Sequence, residues 1–316
     1  MKNEIILMNQ TEIQLLNNLE SYSASFIEYL DTTPKTIESY RKNLKQLFNF
    51  FEEMEITLPK REDIISYRKH LKNSGYKETT IQSYINTAKQ FFKWTSYAGI
   101  YEDIASGVKN ERVRNIHRKA SISEGEFEDI ISLYAGKEDL ESLRNLSIIL
   151  LESTCGLRSI EIERSNIEDL QTISGIPVLM IQGKGHASKD DFIKLTIPAE
   201  RTIRKYLALR EYQSPSEALF ISLSDRNQNE RLTTRSISRI VKNSLLLCGI
   251  DDEKKTSHSL RHYFVNEQVK AGIPLPEIQA SARHSDIRTT MIYVDECNKL
   301  QSKSSDLFNK KLEGKF

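Results

Sequence analysis

The stretch Ala282-Arg283-His284-Ser285-Asp286-Ile287-Arg288-Thr289-Thr290-Met291-Ile292-Tyr293 decides how the rest of the chain is read. Ser285 or Asp286 can start a helix whose later turn carries Tyr293, with His284 just ahead of it. A single tyrosine among 13 is more often core or surface than nucleophile, so Tyr293 takes its meaning from its company upstream. There, in Ser257-His258-Ser259-Leu260-Arg261-His262, Thr256 or Ser257 can cap a helix and put His258 and Arg261 on one face of its first turn. Free amide donors and the dipole already favour anions at such an end, and a histidine and an arginine added to it make a phosphate site.

Two more places further upstream offer groups for an oxyanion. In Thr154-Cys155-Gly156-Leu157-Arg158-Ser159-Ile160-Glu161, Gly156 reads as a helix stop and Ser159 as the next start, with Arg158 on the turn between. Its rigid fork of donors suits an oxyanion, although an arginine so placed, taken alone, more often pairs with a residue such as Glu161. The apolar run Ile176 to Gln182, the turn-rich Gly183 to Ser188 and the run Phe192 to Ile197 read as a β-hairpin with a long polar tip. The tip sets Lys184 between two glycines, where backbone can approach a ligand closely. Helices resume from Glu200.

The first third of the chain is helical by periodicity. Tyr40, Leu44, Leu47, Phe48 and Phe51 form one stripe, Ile64, Tyr67 and Leu71 a shorter one, and Ile81, Tyr84, Ile85, Ala88 and Phe92 a third. Thr33-Pro34, Leu58-Pro59 and Asn73-Ser74-Gly75 punctuate them. The stripes read as the core of a small bundle, whose first helix turns Lys35, Arg41, Lys42 and Lys45 to its polar face. The pattern fades after Trp94, and the basic run Lys109 to Lys119 precedes a fresh helical start at Ser121 to Glu124. The expected organisation is therefore a helical domain over 1–105, a basic linker over 106–120 and a larger domain over 121–316. The fold class is mainly α, with a small antiparallel sheet or hairpin in the second domain.

Composition sets the bounds. The 316 residues are 38% hydrophobic and 28% charged, as in a soluble two-domain protein. No apolar run approaches the roughly 20 residues of a membrane span, and the start has no signal-peptide h-region. Lysine and arginine total 45 against 44 acidic residues, so net charge neither demands nor excludes a polyanionic partner. The three cysteines, Cys155, Cys248 and Cys297, have no paired or metal-ligand spacing, which points to a reducing cytoplasm and to no metal.

Arg158 in a GLRxxE setting, Lys184 in a GKG hairpin, the HxLRH of His258 to His262, then His284 and Tyr293 resemble, in order and spacing, the active-site set of the tyrosine recombinase (phage integrase) family. The helical first domain with its basic linker resembles that family's core-binding domain, so the likeness covers nearly the whole chain. It implies a site-specific DNA recombinase of Xer-like or simple mobile-element type, working in integration, excision or resolution. Carried over by position, the expected catalytic residues are Arg158, Lys184, His258, Arg261, His284 and Tyr293. There are two departures. The family usually has Leu-Gly before the second histidine where this chain has Ala282-Arg283, and Lys189, followed here by Asp190 and Asp191, is a rival to Lys184.

The resemblance also implies a mechanism. A phenol with an ordinary pKa of about 10 needs a proton acceptor and a neutralised electrophile to attack phosphorus. Arg158 and Arg261 would clamp the non-bridging oxygens, His258 and His284 would add hydrogen bonds, His258 would take the phenol proton, and Lys184 would protonate the departing 5′-oxygen. The product is a 3′-phosphotyrosyl link that conserves bond energy, so neither ATP nor another cofactor is expected. The implied partners are double-stranded DNA sites and further copies of the chain, as a homotetramer with an exchanged C-terminal element, and the scheme admits an accessory DNA-binding or directionality protein. A type IB topoisomerase or telomere resolvase would use similar groups. A non-catalytic DNA-binding regulator is the rival of another kind, and it leaves the order of histidines, arginines and Tyr293 without a reason.

Overall fold

The computed structural model describes residues 19–110, 120–183, 188–301, 308–309 and 311–313. The chain divides into two compact units, Met1–Arg114 and Asn115–Phe316. In the first unit the described helices are α1 (residues 19–29), α2 (Pro34–Glu53), α3 (Arg61–Asn73) and α4 (Glu78–Tyr97). Pro34 opens α2, where its missing N–H costs nothing, and Thr33 caps it by accepting from the Thr36 amide at 3.4 Å. The aromatic stripes turn inward, with Phe51, Ile64, Tyr67, Ile85, Phe91 and Phe92 fully buried. One polar contact fixes the pairing of α2 with α4: the Asn43 amide donates to Thr87 Oγ1 at 2.9 Å and to Ser83 Oγ at 3.1 Å. After α4 the chain folds back, burying Ile104, Ala105 and Val108, while the Arg61 guanidinium holds the Gly107 carbonyl at 3.2 Å.

The second unit is built on α6 (Leu140–Thr154), whose buried Ile148, Ile149 and Leu151 pack it against α8 (Ile197–Leu209) and α10 (Ser257–Lys270). Around it lie α5 (Glu124–Tyr134), α7 (Ser159–Arg164), α9 (Thr234–Leu247), α11 (Leu275–Ala282) and α12 (Ile287–Gln301). Ser123 and Glu126 close a reciprocal capping box at the start of α5. Between α7 and α8 runs an antiparallel sheet of β1 (Leu170–Ile173), β2 (Ile176–Ile181) and β3 (Asp191–Lys194), in that spatial order.

Two details here differ from the sequence reading. The hairpin has a third strand, β1, joined to β2 by Ser174 and Gly175, both at positive φ as a two-residue turn requires. The run from Phe192 to Ile197 is not all strand either. It leaves the sheet after Lys194, and Ile197 and Pro198 form the first turn of α8. The second unit's main core spans α5 to α10. A separate cluster of Val265, Ile278, Ala282 and Tyr293 joins α10, α11 and α12. No described helix is long and apolar enough to cross a membrane.

Candidate active site

The turn from α6 into α7 brings Arg158 to its place. Gly156 has φ +65, and a Cβ there would lie 2.4 Å from two ring carbons of Phe264 on α10, so the backbone passes α10 at a distance only glycine allows. Arg158 is the N-cap of α7 and is held by Glu161 one turn on. Its main-chain N–H donates to Glu161 Oε2 and its Nη1 to Glu161 Oε1, both at 2.8 Å. The ion pair read from sequence as the commoner fate of such an arginine therefore exists, with Arg158 about a quarter exposed and the Glu161 side chain fully buried. The remaining side of the Arg158 fork donates from Nη2 to the Arg283 carbonyl at 2.9 Å.

Arg261, at the start of the second turn of α10, is buried, and its guanidinium donates to the carbonyls of Gly156 and Ala282. Burial pushes its pKa down to about 9, with the charges of Arg158 and Arg283 adding to the effect, which still leaves it a cation at neutral pH. The two arginines thus land on consecutive carbonyls, Ala282 and Arg283, and the next residue is His284. The His284 Nδ1 lies 2.9 Å from Thr290 Oγ1, and its ring stacks on that of Tyr293 at 6.4 Å between centroids and 11° between planes. Tyr293 is 4% exposed. Its hydroxyl meets Nδ1 of His262, whose ring contacts that of the exposed His258 edge-on at 5.9 Å. Five of the six residues singled out in the sequence, Arg158, His258, Arg261, His284 and Tyr293, are therefore linked through one continuous set of contacts. The sixth, Lys184, lies outside the described residues. Its rival Lys189 is ion-paired with Asp169.

Three residues of this set, His262, Glu161 and Arg283, carry no catalytic signal in the sequence. His262 was visible only as the last letter of HxLRH. Glu161 was visible only as a partner for Arg158. Arg283 was visible as a departure from the family pattern, and its guanidinium sits 2.7 Å from Glu161 Oε2. Burial would raise the pKa of Glu161, but the charge of Arg283, the Arg158 N–H and the Arg158 guanidinium together outweigh it and hold the carboxylate below its ordinary value. Beneath these groups Glu152, wholly buried on α6, accepts from Ser159 Oγ at 2.9 Å and Ser257 Oγ at 2.5 Å, the first residues of α7 and α10. Burial drives its pKa up to about 8 against the pull of both serines and Arg261.

Cationic forks, imidazoles and a phenol brought together where α10, α11, α12 and the α6–α7 turn meet are groups that can act on a phosphoryl centre. Residues 121–299 match the phage integrase family and residues 23–99 its N-terminal SAM-like domain. The chain belongs to that family and is a tyrosine recombinase. The tyrosine recombinase XerA of Pyrococcus furiosus is 30% identical to it over 268 residues, 85% of this chain and 87% of the relative. XerD of Proteus mirabilis is 25% identical over 88% of this chain and 90% of its own. Among solved structures, the XerH site-specific recombinase in its post-cleavage complex with palindromic difH shares the fold with a TM-score of 0.69 at 18% identity, covering 86% of this chain and 80% of that one.

Proposed function

We propose that Tyr293 is the nucleophile that cleaves double-stranded DNA at a specific site. The phenolic oxygen bonds to phosphorus, the bond to the 5′-oxygen breaks, and a second 5′-hydroxyl later displaces the tyrosine and rejoins the strand. The observation that carries this reading is the convergence of Arg158 and Arg261 on the two carbonyls immediately before His284, whose ring stacks on Tyr293. Arg158 and Arg261 clamp the non-bridging oxygens, and His284 adds a hydrogen bond. The phenol proton leaves toward the histidine pair, with His262 in contact with the hydroxyl and His258 as the acceptor on the exposed side. Lys184 protonates the departing 5′-oxygen, an assignment over its rival that the ion pair of Lys189 with Asp169 supports.

The reading extends to a domain over 1–105 that binds DNA, a linker over 106–120 and a catalytic domain over 121–316. It also extends to a cytoplasmic homotetramer on two DNA sites. Free thiols at Cys155, Cys248 and Cys297 support the compartment, and the exposed Phe308 and Leu312 near the C-terminus support exchange between copies. The test begins with a site selected by the wild-type protein from randomised duplexes. Nicked within that site, the duplex traps a covalent adduct that survives denaturation. Tyr293→Phe is expected to bind the duplex and form no adduct, and an undiminished adduct would remove Tyr293 from the role. Strand exchange between two sites distinguishes recombination from relaxation alone, and absence of any adduct would favour a non-catalytic regulator.

A further inference from the structure

Arg283 stands where the local backbone favours glycine. It caps α11 with φ 52° and ψ 48°, in the left-handed region that L side chains avoid, at the position where the family pattern has glycine. Its side chain is nonetheless closely engaged. Nη1 donates to the Ser281 carbonyl at 2.9 Å, and Nη2 to the Gly156 carbonyl at 2.9 Å and to Glu161 Oε2 at 2.7 Å. Its own carbonyl receives Nη2 of Arg158. Residue 283 thus grips Arg158 twice, directly through the carbonyl and indirectly through the carboxylate both arginines share.

Charge bookkeeping gives this arrangement a purpose. When a phosphate arrives, Arg158 must turn part of its fork to the ligand, and a buried Glu161 with no other cation beside it would oppose that move. Arg283 is a second cation that stays with Glu161. With Arg158, Arg261 and Arg283 against Glu161 the cluster carries a surplus of two positive charges, and a phosphodiester gains its second negative charge only in the pentacoordinate transition state. Without Arg283 the surplus is one.

We propose that Arg283 is a positioning residue of the recombination reaction, holding Glu161 so that Arg158 is released to the scissile phosphate as charge develops. The proposal rests on the assignment of Tyr293 and Arg158 above. It is tested by single-turnover cleavage of the nicked duplex at saturating protein, with Arg283→Gly and Arg283→Asn, both of which suit the left-handed backbone, and each again combined with Glu161→Gln. The expected result is cleavage about tenfold slower in both single variants, with duplex binding within about twofold of wild type and an unlowered melting temperature; tenfold corresponds to about 1.4 kcal/mol of transition-state stabilisation. On the Glu161→Gln background, where no carboxylate needs holding, removing Arg283 is expected to slow cleavage less than about threefold. Wild-type rates in the single variants, equal losses on both backgrounds, or a loss of binding that matches the loss of rate would each overturn the proposal. An adduct absent from the wild type would instead defeat the underlying assignment.

Discussion

Replacing Glu152 by glutamine should change how stability depends on pH. The carboxyl is wholly buried, Oε2 has no hydrogen-bond partner among the described residues, and burial raises the pKa from an ordinary 4.5 to about 8. Between those values the native protein holds a proton that the unfolded chain has released, so stability falls as pH rises through the window and levels off above about pH 8. At about 1.4 kcal/mol per pH unit the whole interval amounts to ~5 kcal/mol, a large share of the total stability of an ordinary domain. Glutamine keeps the acceptor for Ser159 and Ser257 and has no proton to release. Glu152→Gln should therefore match the wild type near pH 5 and exceed it by ~3 kcal/mol at pH 7. Because the two units can unfold separately, urea titrations from pH 5 to 9 should be read by hydrogen exchange in peptides of α6 and α10. Parallel curves for the two proteins across that range, or a gap that widens toward low pH, would refute the reasoning.

Two further outcomes concern the α6–α7 turn and the two arginines beside it. Gly156→Ala adds strain at positive φ and drives a methyl group into the Phe264 ring, so it should cost about 2–4 kcal/mol in urea unfolding; a loss below about 0.5 kcal/mol would show that α10 yields easily there. Arg158→Ala and Arg261→Ala should each slow adduct formation at saturating protein by about a hundredfold while changing affinity much less, as removal of one preorganised donor commonly does. Near-normal cleavage in either variant would remove that arginine from the transition state.

Much of the architecture is legible in the chain because the buried faces are large and periodic. The stripes of α2, α3 and α4 need only helical spacing to be seen. Helix α1 is harder, because Leu19, Phe26 and Ile27 are separated by Ser21, Ser23, Ala24 and Ser25, which dilute the apolar signal. Strand β1 is harder still: Gln171, Thr172 and Ile173 are exposed, so the strand rests on backbone pairing to β2 and leaves no alternation to read. At the site, the order and spacing that resemble the family's set bring Arg158, Lys184, His258, Arg261, His284 and Tyr293 into one group. That Ala282 and Arg283 would supply the carbonyls receiving both arginines depends on α10, α11 and the α6–α7 turn meeting in space, and no local pattern encodes that. Arg283 broke a local rule, and such a break marks a place where tertiary contacts sustain an unfavourable backbone.

Tyr293 belongs to the small cluster it forms with Val265, Ile278 and Ala282, apart from the main core of its unit. Among the described residues, Thr290 and Tyr293 are the buried side chains of α12, and a helix so anchored can detach while the scaffold carrying Arg158 stays intact, because the free energy of local opening tracks the apolar surface that must be exposed. Tyr293 is thus mounted on a detachable cassette, whereas Arg158 is built into the scaffold. Its availability can then be governed by how firmly α12 is seated, independently of whether the arginines are in place.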